Sequence, residues 1–228
     1  MNLRTEDGNL LSRLSKYTKV VAQNEVVIID YGMGNIWSVA SAIQHLNFSP
    51  VISAETSVIA SAKRLILPGV GSFRQAMQTI RQNSIDQAIH SALENSNTKL
   101  LGICLGMQLL GLSSTEDGVT QGLGLVKNEV TKLSVTAKQN LKIPHVGFAK
   151  LKRADDLILL DKIESDASFY FVHSYAMRQQ DHNAKYATCV HGEEFVAVVE
   201  SDQVFGTQFH PEKSQKNGLK LLNNFLLQ

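Results

Sequence analysis

Lys99-Leu100-Leu101-Gly102-Ile103-Cys104-Leu105-Gly106-Met107-Gln108 is the stretch on which the reading of this chain turns. An apolar run from Lys99 to Ile103 leads into Cys104, a helical pattern follows, and a glycine stands two positions to either side of the cysteine. A strand that turns sharply into a helix strains the backbone of the turn residue, and side chains flanking it would collide with the neighbouring strand and helix. The pattern is that of a nucleophile elbow in which cysteine replaces serine.

The same strand, turn and helix unit recurs outward from the elbow. Val26-Val27-Ile28-Ile29 reads as a buried strand, and Gly32, Gly34 and Asn35 open a helix carrying Ile36, Val39, Ala40, Ile43 and Leu46. Val51-Ile52 and Leu65-Ile66-Leu67 are further strands, and Phe73, Met77 and Ile80 form a helical stripe that Ser72 can cap. Buried runs alternating with helices predict an α/β fold, with a mostly parallel sheet covered on both faces. Beyond about Gly122 the texture changes. Leu125 to Leu133, Phe169 to Val172, Tyr186 to Val190, Phe195 to Val199 and Val204 to Phe209 predict added antiparallel strands, and Gly218 to Leu226 a closing helix.

With 228 residues, 43% of them hydrophobic and 19% charged, the chain has the composition of an ordinary globular protein with one sizeable core. A formal net charge of +1 gives no bulk attraction to nucleic acid or to an anionic membrane, and no stretch is apolar for long enough to span a bilayer. Residues 1–24 differ from the rest: Arg4, Arg13, Lys16 and Lys19 surround no secretory apolar region, which predicts a frayed extension or one short helix ahead of a domain at 25–228. Cys104 and Cys189 are too few for a disulfide framework, and a working thiolate favours a reducing compartment, the cytoplasm.

A second motif supplies partners for the thiol. In His210-Pro211-Glu212 both charged side chains project to one face if the backbone is extended, so that Glu212 can orient the His210 imidazole and stabilise its charged form. The imidazole and a helix N-terminus after Cys104 both favour the thiolate. An attacked carbonyl also needs donors where negative charge develops. The N–H of Leu105 is one, and the Pro68-Gly69-Val70-Gly71 turn can present another at Val70 or Gly71.

Ile29-Asp30-Tyr31-Gly32-Met33-Gly34-Asn35, Leu67 to Phe73, Leu101 to Gln108 and Gly206-Thr207-Gln208-Phe209-His210-Pro211-Glu212-Lys213-Ser214 together resemble the signatures of class I, triad-type glutamine amidotransferases. More narrowly, they resemble those of the glutaminase subunits of imidazole glycerol phosphate synthase. The resemblance covers Val26 to Leu227 and implies a flavodoxin-like sheet, glutamine as substrate, and neither cofactor nor metal. It implies Cys104 as nucleophile, His210 and Glu212 as its base and acid, and Gln108, Glu116, His173, Ser174 and Tyr175 as substrate-binding residues. It further implies a heterodimer with a (β/α)₈ cyclase that receives the ammonia, with Asn35, Pro144, His145, Phe148, Tyr170 and Lys213 at the interface or gate, and a backbone flip at Pro68 to Gly71 on activation.

Four positions depart from that family. Its interface segment Pro-His-Met-Gly-Trp-Asn here reads Pro144-His145-Val146-Gly147-Phe148-Ala149, and His173-Ser174-Tyr175 is followed by Ala176 rather than tyrosine. Phe148 lacks an indole N–H and Ala149 an amide. An amidotransferase feeding another synthase, such as one for amidino sugars of surface polysaccharides, fits these departures as well. A non-catalytic interaction subunit is a further alternative, against which the intact Cys104, His210 and Glu212 argue.

Overall fold

The computed structural model describes residues 24–136, 141–153 and 156–228. All of the predicted N-terminal extension but Asn24 lies outside them. The first half is built from β1 (Glu25–Ile29), α1 (Ile36–His45), β2 (Ser49–Ser53), α2 (Thr56–Ser61), β3 (Arg64–Gly69), α3 (Phe73–Gln82), α4 (Ile85–Leu93), β4 (Lys99–Cys104) and α5 (Leu105–Leu109). The second half contains β5 (Ser113–Ser114), β6 (Thr120–Gln121), β7 (Glu129–Lys132), β8 (His145–Lys150), β9 (Lys152–Arg153), β10 (Ser168–His173), β11 (Tyr175–Met177), β12 (Lys185–His191), β13 (Glu193–Ser201), β14 (Val204–Thr207) and α6 (Gln215–Leu226).

The main sheet has the order β2-β1-β3-β4-β14-β13-β12-β9. Its first five strands are parallel and the last three antiparallel. This is the flavodoxin-type strand order, in which ligands bind beyond the carboxyl ends of the strands. Alternate residues feed two cores. Val26, Ile28, Ile66, Leu101 and Ile103 pack with Val39 and Ile43 of α1 and Leu222 and Phe225 of α6. Val27, Ile29, Leu65, Leu67 and Leu100 pack with Met77 and Ile80 of α3 and Ile85 and Ile89 of α4.

The strand-rich second half differs from the expectation in three places. Val204–Thr207 pairs antiparallel with β13 as expected, across a turn in which Asp202 has φ 50°, but its other edge lies parallel to β4, so it sits in the middle of the sheet. Phe169 to Val172 falls in β10, which is antiparallel as expected but pairs with β8 in a separate two-stranded sheet rather than joining the main one. Of Leu125 to Leu133 only Glu129–Lys132 is extended, in a third sheet with β5, β6 and β11. Tyr186 to Val190 and Phe195 to Val199 do pair antiparallel. Among the described residues no helix is long and apolar enough to cross a membrane.

Candidate active site

β4 delivers Cys104 at φ 54° and ψ −110°, a conformation that L residues adopt only when their surroundings impose it. The surroundings are the two flanking glycines. A Cβ on Gly102 would come within 2.7 Å of the Gly106 carbonyl oxygen, and one on Gly106 would fall inside the carbonyl of Leu67 on β3. The close approach of α5 to β4 therefore needs hydrogen at Gly102, and its close approach to β3 needs hydrogen at Gly106. The helix after Cys104 is only five residues long, so its N-terminus brings less partial charge to the thiol than the sequence pattern predicts.

Beside this elbow, at the carboxyl ends of β3, β4, β10 and β14, lies a cleft of about 300 Å³. It is lined by Val70, Gly71, Cys104, Leu105, Gln108, Glu116, Val172, His173, Ser174, Tyr175 and His210. All three predicted oxyanion positions and all five predicted substrate-binding residues are thus on its wall. Gly71, at φ 104°, holds a backbone that other residues resist.

His210 and Glu212 meet, although not on extended backbone. Pro211 opens a single 3₁₀ turn from Pro211 to Lys213, and the turn brings the Glu212 carboxylate back to His210 Nδ1 at 2.8 Å. Proline suits this first helical position, where its fixed φ is already correct and its missing N–H costs nothing. Ser214 fastens the turn, its hydroxyl donating to the His210 carbonyl at 2.6 Å and accepting from the Tyr170 N–H at 2.9 Å. Both side chains are buried, His210 to 3% and Glu212 to 1% exposure. Burial opposes charge on the imidazole, but Cys104 and Glu212 outweigh it and lift the His210 pKa to about 10. His210 Nε2 has no hydrogen-bond partner among the described residues, so Cys104 acts on it without completing a bond. The thiol instead donates to the Val172 carbonyl at 3.9 Å.

Glu116 reaches across from the β5–β6 connection, and its carboxylate accepts the Phe73 N–H at 2.9 Å. Burial, Glu116 and Asp117 together hold the neighbouring Tyr175 phenol above its ordinary pKa. His173 is neutral, since burial drives its pKa down to about 3. Its Nδ1 donates to the Tyr175 carbonyl at 2.9 Å, which leaves Nε2 to accept from His145 Nδ1 at 3.3 Å.

The predicted gate residues separate into two sets. Phe148 and Tyr170 meet edge to face, 5.5 Å between ring centroids, and Phe148 is 50% exposed. Lys213 and Pro144 are exposed and Asn35 half-buried. His145 is buried instead, stacked on Phe171 and His191, because alternation along β8 turns it inward while Val146 and Phe148 face out. Sequence reasoning gave no role to Gln208, whose amide lies 3.7 Å from Cys104 Sγ, nor to Ser214 or Val172. Gln208 and Ser214 stand inside the quoted signature around His210, which was the available signal.

A strained cysteine at the carboxyl edge of a flavodoxin-type sheet, facing a buried histidine and carboxylate, defines a class of thiol-dependent acyl-transfer enzymes. The family description "Glutamine amidotransferase class-I" matches residues 27–228. The imidazole glycerol phosphate synthase subunit HisH of Geobacillus sp. (strain WCH70) is 44% identical over 200 residues, covering 87% of this chain and 94% of that one. HisH 2 of Methanococcus maripaludis is 39% identical over 203 residues, covering 89% and 99%. The solved structure of PurLQS from Thermotoga maritima shares the fold, with a TM-score of 0.68 at 21% identity over 89% of this chain and 97% of that one. The chain belongs to the class-I glutamine amidotransferases, within the family of HisH subunits.

Proposed function

We propose that this chain hydrolyses glutamine at Cys104 and passes the ammonia to a (β/α)₈ cyclase subunit, the pair forming the imidazole glycerol phosphate synthase of histidine biosynthesis in the cytoplasm. The observation that carries the reading is the convergence of Cys104, His210, the Val70–Gly71 turn, Gln108 and Glu116 on one cleft.

Cys104 gives its proton to His210, whose raised pKa favours the imidazolium. Glutamine enters with its α-ammonium toward Glu116 and its carboxamide toward Cys104. The sulfur adds to the carboxamide carbon, and the resulting oxyanion is met by the N–H of Leu105 and by one from the Val70–Gly71 turn. As the C–N bond breaks, imidazolium gives its proton to the leaving nitrogen and ammonia departs, leaving a glutamyl thioester. Neutral His210 then takes a proton from water as the water adds to the thioester. Glutamate leaves as the sulfur departs from its carbon, and His210 returns the proton to Cys104. Glu212 holds the imidazole on its Nδ1 side throughout.

The outer face of β8 and β10 supports a partner there, since Val146, Phe148 and Val172 are 56%, 50% and 37% exposed on adjacent strands. Val172 also lines the cleft, and the Tyr170 carbonyl accepts the N–H of His210 at 2.9 Å, so a subunit docked on this face lies one backbone bond from the base. The test is glutamate release by the chain alone, with its organism's histidine-pathway cyclase, and with that cyclase plus phosphoribulosyl formimino aminoimidazole carboxamide ribotide. Strong stimulation with formation of imidazole glycerol phosphate is expected. Absence of stimulation, while the cyclase still turns over ammonium salts, would assign the ammonia to another synthase.

A further inference from the structure

Gln208 lies between β14 and the His210 turn, its backbone N–H fixed to the Ala197 carbonyl at 2.9 Å and its side chain fully buried. Its amide has two neighbours: Gln108 on one side, at 3.0 Å, and Cys104 Sγ on the other, at 3.7 Å. A carboxamide is a donor at one end and an acceptor at the other, so which end faces the sulfur decides what Gln208 does to it.

The hydrogen-bond chain fixes that direction. The Tyr175 carbonyl can only accept, so the Gln108 group 2.8 Å from it is the NH₂. The same NH₂ reaches Gln208, which must answer with its oxygen. The Gln208 NH₂ is therefore turned to Cys104 Sγ. A polarity set by a backbone carbonyl on β11 is transmitted through two amides to the sulfur. His173 donates to the same carbonyl and holds it in place.

We infer that Gln208 is a catalytic residue that donates to the ionised sulfur of Cys104, with Gln108 as the positioning residue that locks its amide in the donating orientation. The inference rests on Cys104 being the nucleophile. An N–H donor binds a thiolate more strongly than a thiol, so Gln208 favours the ionised form and holds the sulfur while His210 carries the proton. In the resting protein the Val172 carbonyl takes the thiol hydrogen. Once that proton has moved to His210, the carbonyl repels the sulfur and Gln208 is the side chain left to retain it. The arrangement also joins substrate and nucleophile. Gln108 lines the cleft, so a glutamine that draws on its amide alters the donor strength at Cys104.

The experiment is the rate of Cys104 alkylation by iodoacetamide across pH, followed by mass spectrometry of the full-length chain, for wild type, Gln208→Leu and Gln208→Glu. Cys189 is an internal control: it is buried, and burial pushes its thiol up to about 11. In Gln208→Leu, alkylation at neutral pH should fall about tenfold and its half-maximal pH rise by roughly one unit, the size of one lost charge-assisted hydrogen bond. Gln208→Glu is nearly isosteric and puts an acceptor against the sulfur, so its profile should move further the same way. It serves also if the leucine variant does not fold. Unchanged profiles in folded variants, whether or not the melting temperature drops, would reduce Gln208 to a packing role and overturn the inference. Alkylation reads the sulfur itself, so this outcome is separate from failure of the functional reading, which would show as a reactive Cys104 in a wild type that releases no glutamate even with the cyclase and its ribotide.

Discussion

At the scale of single residues the site depends on two side chains that would be costly apart. Glu212 and His210 are both buried, and removing one charge of a buried pair leaves the other uncompensated. The His210 pKa is raised when folded, to about 10 against roughly 6.5 when unfolded, so folding holds a proton the unfolded chain releases earlier. That contribution is complete below about pH 6.5 and is lost as pH climbs through about 10. Glu212→Gln should therefore cost about 3 kcal/mol near pH 6, and its deficit against wild type should close toward pH 10. Chemical denaturation at several pH values measures this, and a deficit that widens with pH would contradict it.

At the scale of elements, helix and strand termini carry the site. The first turn of α3 has no acidic residue, and Glu116, 43 positions away in the chain, supplies one to the Phe73 N–H. Ser72 caps the same turn through its hydroxyl. Glu116→Ala should raise the KM for glutamine with a smaller effect on kcat, and should also lower stability by about 1 kcal/mol through the lost cap. Steady-state kinetics and a melting curve separate the two losses. The hairpin-like pair of β8 and β10 makes a different prediction. Phe148 is half exposed, so Phe148→Glu should leave the melting temperature within about 1 °C of wild type, as exposed substitutions do. It should nevertheless weaken cyclase binding at least tenfold by calorimetry, if the face is the docking surface proposed above.

At the scale of the whole molecule, one sheet separates two cores while its carboxyl edge holds the chemistry. α6 is the element that ties the end of the chain to this plan. Phe225 is fully buried there, with its ring edge-on to Phe205 of β14 at 5.8 Å. Phe225→Ala should cost about 4 kcal/mol, the usual loss for an aromatic cavity in a core. At a temperature where the variant remains folded, its alkylation profile at Cys104 should match wild type, because nothing at Phe225 touches the sulfur. A shifted profile would mean that α6 packing sets the geometry of the cleft.

Local chemistry wrote much of this into the sequence. Two glycines around Cys104 announce a strained turn because only hydrogen fits where α5 crosses β4 and β3, and the buried runs at Val26 to Ile29 and Leu65 to Leu67 announce a parallel sheet because both their faces are apolar. Cys104 and His210 were legible from their own motifs as a nucleophile and its base, whereas Gln108, Glu116, His173, Ser174 and Tyr175 were expected only through the family resemblance, and Val172 not at all. Pairing and direction were not legible. Val204–Thr207 joins the parallel strands because its other edge meets β4, and His145 faces inward because strand register places it there. The orientation of the Gln208 amide follows from a carbonyl on β11, a donor on α5 and a sulfur on β4, which are brought within hydrogen-bond reach only when the sheet is assembled. The sequence by itself determined which groups the site contains, because chemistry selects residue types; the tertiary structure decided which atoms face one another, because hydrogen-bond polarity depends on neighbours that are remote along the chain.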